Sequence, residues 1–104
     1  MTLFTEEVLE IITSIPHGKV MTYGQIAAYA GNPRGARQVS RILHGMSEKY
    51  QLPWHRVINS KGKISLPGEL GNRQRTLLEQ EGIVFKNDSI SLRNYQVQKL
   101  SFND

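Results

Sequence analysis

The side chains best suited to chemistry lie in one short segment near the middle of the chain, Pro53-Trp54-His55-Arg56. His55 can carry a proton and Arg56 is a fixed cation, whereas the indole of Trp54 can stack and donate one hydrogen bond but has no ionisable thiol. The chain contains no cysteine. The segment therefore resembles a reactive loop that lacks its nucleophile.

Length and composition limit the classes of protein to which the chain can belong. Its 104 residues, 38% hydrophobic and 21% charged, predict one soluble globular domain over positions 1–104. With no cysteine and three histidines without ligand spacing, His17, His44 and His55, we expect no metal and no cofactor. The net charge of +4 favours a polyanionic partner.

The sequence also predicts where the protein resides. No apolar stretch approaches the roughly 18 residues of a spanning helix, and positions 1–7 are acidic where a signal peptide would be basic. We therefore expect an intracellular, cytoplasmic protein, associated with the nucleoid if it is bacterial, with no membrane partner.

Apolar periodicity and capping residues predict three helices in the first half of the chain. The first carries Phe4, Val8, Ile11, Ile12 and Ile15 and stops at Pro16. The second begins with a capping box of Thr22 and Gln25 and runs to Gly31. For the third, Asn32 is the expected N-cap. One face of it carries the basic residues Arg34, Arg37, Arg41 and His44, and the opposite face carries Val39, Ile42, Leu43 and Met46. The second and third helices have the pattern of a helix-turn-helix.

The second half of the chain predicts smaller elements. We expect a loop with a little strand near Ile64–Leu66, then a helix capped by Asn72 and ended by Gly82. Positions 83–85 and 90–92 predict a hairpin that can serve as a wing. Positions 93–104 form a variable tail, either a short helix or frayed. The predicted fold is mainly α with small β elements, a winged helix-turn-helix.

Four motifs occur in order along about positions 4–85: Ile15-Pro16-x-Gly18-x-Val20-x-Thr22-Tyr23-Gly24, Ala36-Arg37-x-Val39, Pro53-Trp54-His55-Arg56-Val57 and Leu77-Leu78-x-x-Glu81-Gly82. This succession resembles the C-terminal, DNA-binding domain of the O6-alkylguanine-DNA alkyltransferases. In those enzymes the position of Trp54 is the acceptor cysteine. The chain is therefore similar to the alkyltransferase-like branch, which binds alkylated guanine without repairing it, and the resemblance implies no catalytic residue and no enzymatic activity.

The resemblance implies a role for each remaining site residue. Tyr23 and Arg37 would extrude the nucleotide, with Arg34 and Arg41 on phosphates. The alkylguanine pocket would comprise Tyr23, Trp54, Val57, Pro67 and Gly68, and the loop would be braced by His55, Arg56 and Glu81. From the residues alone, Tyr23 and Trp54 can equally be packing residues, Arg37 can pair with phosphate, and Arg56 can brace the loop or touch phosphate. Because small Pro67 and Gly68 replace larger or polar residues, we expect a roomy pocket.

The function implied by the resemblance is recognition of O6-alkylguanine in duplex DNA by a monomer, which flags the lesion for nucleotide excision repair proteins. Two other classes remain open. A winged-helix transcription regulator would bind DNA by sequence and would be indifferent to alkylation. A base-excising enzyme around His55 and Glu81 would change the DNA.

Overall fold

A computed structural model describes residues 1–98 as a mainly helical domain with two small sheets. Its elements are α1 (Leu3–Thr13), β1 (Met21–Thr22), α2 (Tyr23–Tyr29), α3 (Ala36–Tyr50), a 3₁₀ turn (Trp54–Arg56), β2 (Val57–Ile58), α4 (Gly68–Gln80), β3 (Phe85–Lys86), β4 (Ser89–Ile90) and α5 (Leu92–Tyr95). The predicted fold class, mainly α with small β elements, is confirmed. Within residues 1–98 no helix is long and apolar enough to cross a bilayer.

Helices α1, α2 and α3 pack together around the first hydrophobic core, which contains Val8, Ile12, Ile26, Ala27 and Val39. The predicted capping box begins α2: the Thr22 hydroxyl accepts the Gln25 amide at 3.0 Å, and the Gln25 carboxamide oxygen accepts the Thr22 amide at 3.3 Å. Gly31 follows α2 with a φ of 95°, a backbone conformation that favours glycine. The helix-turn-helix is thus α2, this turn and α3.

The prediction that Asn32 caps α3 is wrong. The helix begins at Ala36 with Gly35 as its N-cap residue, and Asn32 instead accepts the Arg34 amide on its side chain at 3.3 Å. Packing explains the later start, because a Cβ at Gly35 would lie 3.0 Å from the Phe4 ring of α1. Arg34 therefore lies in the turn before α3 rather than on the helix.

The prediction that Asn72 caps α4 is also wrong, because the N-cap residue of this helix is Pro67, five residues earlier, and the helix begins at Gly68. In this position the backbone of α4 touches the preceding loop, and a Cβ at Gly71 would lie 2.2 Å from the Leu66 carbonyl oxygen. The predicted stop is confirmed, since Gly82 follows the helix with a φ of 90°.

Parallel pairing of β1 and β2, with Met21 opposite Val57, places the 3₁₀ turn beside the start of α2. On the other side of β1, the Val20 amide donates to the Tyr95 carbonyl at 2.9 Å, and the Val97 amide donates to the Val20 carbonyl at 2.8 Å. These bonds tie the described end of the chain to the helix-turn-helix.

The predicted hairpin is confirmed but is shorter than expected, with β3 and β4 pairing antiparallel. It packs on a second core, which contains Val20, Ile58, Leu78, Ile83 and Ile90. Residues 64–66 form a loop without the expected strand. The predicted tail begins with the short helix α5, and the part of it over positions 99–104 lies outside the described residues.

Candidate nucleic-acid interface

The Trp54 loop, residues 53–58, is a three-residue 3₁₀ turn followed by β2. The Trp54 amide donates to the Leu52 carbonyl at 2.7 Å, and the Val57 amide donates to the Trp54 carbonyl. The half-buried indole packs against the first core, and the His55 ring lies edge-on to it at a centroid distance of 6.2 Å. Trp54 therefore packs on the interior and also retains exposed surface.

Glu81 holds this loop from the C-terminal end of α4. One carboxylate oxygen, Oε2, lies 2.6 Å from His55 Nε2 and accepts Arg56 at 2.9 Å, while Oε1 accepts the Gly18 amide at 2.7 Å. Arg56 also donates to the Ile15 carbonyl at 2.8 Å. Arg56 thus makes the contacts expected of a residue that braces the loop from within the protein.

These contacts set the ionisation of Glu81, whose side chain is 8% exposed. Burial alone raises the pKa of the carboxyl group, but the hydrogen bonds from Arg56, the Gly18 amide and His55 outweigh it and lower the pKa from 4.5 to about 2. Glu81 is therefore an anion at neutral pH. The pair of His55 and Glu81 has the geometry of a base with its orienting carboxylate. The residue before His55 is nevertheless a tryptophan, whose indole N–H is too weakly acidic for an imidazole to deprotonate.

The basic residues predicted for DNA contact lie on the surface. Arg37 and Arg41 are exposed, about one turn apart on α3, and Arg34 is exposed in the turn before the helix. None of the three guanidinium groups forms an ion pair with any residue between positions 1 and 98. The opposite face of α3 holds the buried Val39 and Leu43. The helix therefore presents free cations on one side and packs on the core with the other.

Tyr23 is the first residue of α2 and is half-buried. Burial raises the pKa of its hydroxyl, and the Ser65 side chain beside it acts in the opposite direction. Tyr23 is thereby close to the loop that leads to Pro67 and Gly68, both of which are exposed at the start of α4. A Cβ at Gly68 would meet no heavy atom within 4 Å, so the space above this position is open.

Val57 has a different position from the other predicted pocket residues. It is 1% exposed, belongs to the first core and pairs with Met21 in the small sheet. Its side chain therefore supports the Trp54 loop from the interior. Within residues 1–98, no three His, Asp or Glu side chains group closely enough to hold a metal ion.

Comparison with known proteins connects this arrangement to a family. Residues 3–83 match the family model described as 6-O-methylguanine DNA methyltransferase, DNA binding domain. A relative from Vibrio parahaemolyticus named DNA base-flipping protein is 48% identical over 99 residues, which cover 94% of this chain and 99% of that protein. The chain belongs to the alkyltransferase DNA-binding-domain family.

Solved structures of the alkyltransferase family include close matches to the fold. The structure of S. pombe Atl1 in complex with damaged DNA containing O6-carboxymethylguanine matches with a TM-score of 0.81 and 37% identity, covering 92% of this chain and 95% of Atl1. Mycobacterium tuberculosis OGT in complex with DNA matches with a TM-score of 0.60 and 35% identity, covering 78% of this chain and 50% of OGT. The chain spans about half of that methyltransferase.

Gln74 is a part of this alkyltransferase-family site that the sequence analysis missed. Its side chain is buried on α4, and its amide nitrogen donates to the carbonyls of His55 at 3.1 Å and Val57 at 2.8 Å. A polar residue among the apolar positions of α4 is the only sequence signal for this contact, because the carbonyls lie 19 and 17 residues away. Ser65 beside Tyr23 was missed for the same reason.

Proposed function

We propose that this protein is a non-enzymatic DNA damage recognition protein that binds O6-alkylguanine in duplex DNA. The observation that carries the proposal is the Trp54 loop, which is braced by Glu81 as a reactive loop would be but presents an indole instead of a nucleophile. Likeness to Atl1 bound to O6-carboxymethylguanine DNA supports the same ligand class. An indole offers a flat apolar wall on which an alkylated purine can stack. It has no thiolate to accept the alkyl group, so no covalent step follows binding.

Recognition proceeds by extrusion of the damaged nucleotide from the duplex. The exposed guanidinium of Arg37 is planar and permanently charged, so it can fill the vacated place in the base stack. Tyr23, at the start of α2, crowds the target phosphate, and Arg34 and Arg41 contact neighbouring phosphates. Alkylation weakens base pairing and therefore lowers the cost of extrusion, which favours the lesion over normal guanine.

The output of binding is a long-lived, distorted complex, since no product is formed. Such a complex shields the lesion and marks it for nucleotide excision repair proteins, with the protein acting as a monomer. Open space above Gly68 supports acceptance of alkyl groups larger than methyl. Binding to methyl, benzyl and larger guanine adducts should accordingly stay within about tenfold; a steep loss of affinity beyond methyl would reject the roomy pocket.

One titration tests the proposal against its alternatives. Two duplexes that differ only by one O6-methylguanine are added to the protein while the fluorescence of Trp54, the single tryptophan, is followed. The recovered DNA is then analysed for its bases. Selective quenching with unchanged DNA is the expected result. An equal response to both duplexes would support a sequence-reading regulator instead, and loss of the lesion or an abasic site would show an enzyme.

A further inference from the structure

Gln74 has an environment unlike that of other polar residues on α4. It is 1% exposed, and both hydrogen-bond partners of its amide nitrogen are backbone carbonyls on the Trp54 loop. Because carbonyl oxygens only accept, the group that faces them must be a donor. Burying a polar side chain is unfavourable unless such bonds are made, so the position selects for an amide or another donor of similar reach.

The two carbonyls lie on either side of Arg56, at the point where the 3₁₀ turn becomes β2. A three-residue 3₁₀ turn has few internal hydrogen bonds and limited stability of its own. By holding these carbonyls, Gln74 fixes the peptide plane between His55 and Arg56 and the peptide plane between Val57 and Ile58. These planes help to set the path of the backbone that carries Trp54 and His55.

Gln74 and Glu81 are seven residues apart, which places them on the same face of α4, two turns apart. Glu81 holds the side chains of His55 and Arg56, while Gln74 holds the backbone of the same loop. The backbone of the loop is held in part by other bonds, since the Arg56 amide donates to the Pro53 carbonyl at 3.0 Å and β2 pairs with β1. The Gln74 bonds add a hold on the His55 and Val57 carbonyls themselves. The second contact supplies the preorganisation that discrimination between similar ligands requires.

We propose that Gln74 is a positioning residue for lesion recognition, which sets the selectivity for alkylated guanine by fixing the backbone of the Trp54 loop. This inference rests on the proposed function. A positioning role predicts that substitution of Gln74 lowers the preference for the alkylated duplex, which depends on the loop. Affinity for undamaged DNA, which depends on the basic surface of α3, should be retained. A merely structural role would change both quantities together.

The test compares Gln74→Met with Gln80→Met. The first substitution keeps side-chain length and removes both donated bonds without changing charge, and the second is a matched control at an exposed position of the same helix. The dissociation constants are measured for an unmodified duplex and for the same duplex with one O6-methylguanine. In Gln74→Met the preference for the alkylated duplex should fall about fivefold or more. Affinity for the unmodified duplex should stay within twofold, and Gln80→Met should leave both unchanged.

A further variant keeps the inference testable if Gln74→Met does not fold. Gln74→Asn keeps the amide but is too short to reach both carbonyls, and should lose the preference. Preference that survives in Gln74→Met or Gln74→Asn, or an equal loss of affinity for both duplexes, would overturn the inference alone. A wild-type protein without any preference would overturn the proposed function and this inference with it.

Discussion

Trp54 has both the core packing and the exposed surface that sequence reasoning treats as alternatives. Its indole packs against the first core, and part of its surface remains exposed on a loop braced by Glu81. Truncation to alanine would therefore remove packing as well as the recognition surface, and large-to-small substitutions at buried aromatic positions cost about 3–5 kcal/mol. A smaller aromatic side chain is the better probe of recognition, because it keeps a ring on the core.

Trp54→Phe and Arg37→Ala should have different effects on DNA binding. Trp54→Phe replaces the proposed wall of the alkylguanine pocket with a smaller ring, and should lower the preference for the O6-methylguanine duplex about threefold to tenfold, with little change for unmodified DNA. Arg37→Ala removes the group that we propose replaces the extruded nucleotide, and should weaken binding to the alkylated duplex about tenfold or more. Fluorescence anisotropy of labelled duplexes measures both. The reverse pattern would contradict the roles assigned to these residues.

Glu81 links the integrity of the Trp54 loop to pH. Its pKa is about 2 in the folded protein against 4.5 for an unperturbed carboxyl group, so the folded state favours the anion. The ionised carboxylate therefore contributes stability to the folded state that is fully present above pH 4.5. This stabilisation is lost as the pH falls from 4.5 towards 2. Its size is about 3 kcal/mol at neutral pH.

Glu81→Gln should therefore lower the free energy of unfolding by about 3 kcal/mol at pH 7, and the difference from wild type should shrink below pH 4.5. Urea unfolding at pH 7, 5 and 3 measures it. Glu79→Gln is the matched control, because Glu79 is 50% exposed and pairs only with Arg75 at 3.4 Å among the described residues, and it should change the free energy by less than about 1 kcal/mol. A difference for Glu81→Gln that stays constant with pH would show that ionisation of this residue is not the cause.

Among the elements, α4 supports the Trp54 loop, because it carries Gln74 and ends beside Glu81, which both bond to that loop. Gly71 lets its first turn lie directly on the loop, since a Cβ there would come within 2.2 Å of the Leu66 carbonyl oxygen. Gly71→Ala must displace backbone and should lower the free energy of unfolding by about 2 kcal/mol or more. Gly45 is exposed inside α3 with open space at its Cβ, so Gly45→Ala should instead raise it by about 1 kcal/mol. Thermal and urea unfolding measure both, and equal effects at the two glycines would rule out the close approach as the reason for Gly71.

The same elements show how far sequence could predict the fold. The capping box of Thr22 and Gln25 was predicted correctly because both partners lie within one turn. The caps proposed at Asn32 and Asn72 were wrong for different reasons. Before α3, Gly35 packs on Phe4 of α1, a tertiary contact about which local spacing carries no information. At the start of α4 the contact is local, between Gly71 and the Leu66 backbone five residues earlier, but the capping preference of Asn72 does not reveal it.

In the candidate site, too, some contacts could be predicted from the sequence and others could not. Its ordered motifs predicted the group of His55, Arg56 and Glu81, which the structure brings within hydrogen-bonding distance. The bond from Arg56 to the Ile15 carbonyl spans 41 residues, and the Gln74 contacts also join distant segments. Such contacts depend on how α4 docks against the loop, which no short motif encodes.

At the scale of the whole molecule, charge is distributed unevenly over the helices. The helix α1 carries Glu6, Glu7 and Glu10 and no lysine or arginine, whereas the basic residues Arg34, Arg37 and Arg41 lie on or next to α3. With a net charge of +4, the molecule is attracted to DNA as a whole and oriented by this asymmetry. The long-range field therefore presents the helix-turn-helix to the duplex before any base is extruded.

If the basic surface of α3 sets affinity for DNA and the Trp54 loop sets selectivity, affinity should depend on salt concentration, whereas the preference for the alkylated duplex should not. Each phosphate contact contributes about 0.9 to the slope of log affinity against log salt, so about three contacts should weaken binding roughly 40-fold between 50 and 200 mM salt. If the preference for the alkylated duplex arises in the Trp54 loop, as we propose, it should stay constant within about twofold, because both duplexes have the same phosphates. Arg41→Ala should reduce the slope by about 1 for both duplexes. A preference that declines in parallel with affinity would instead place lesion recognition in the phosphate contacts of the basic surface rather than in the Trp54 loop.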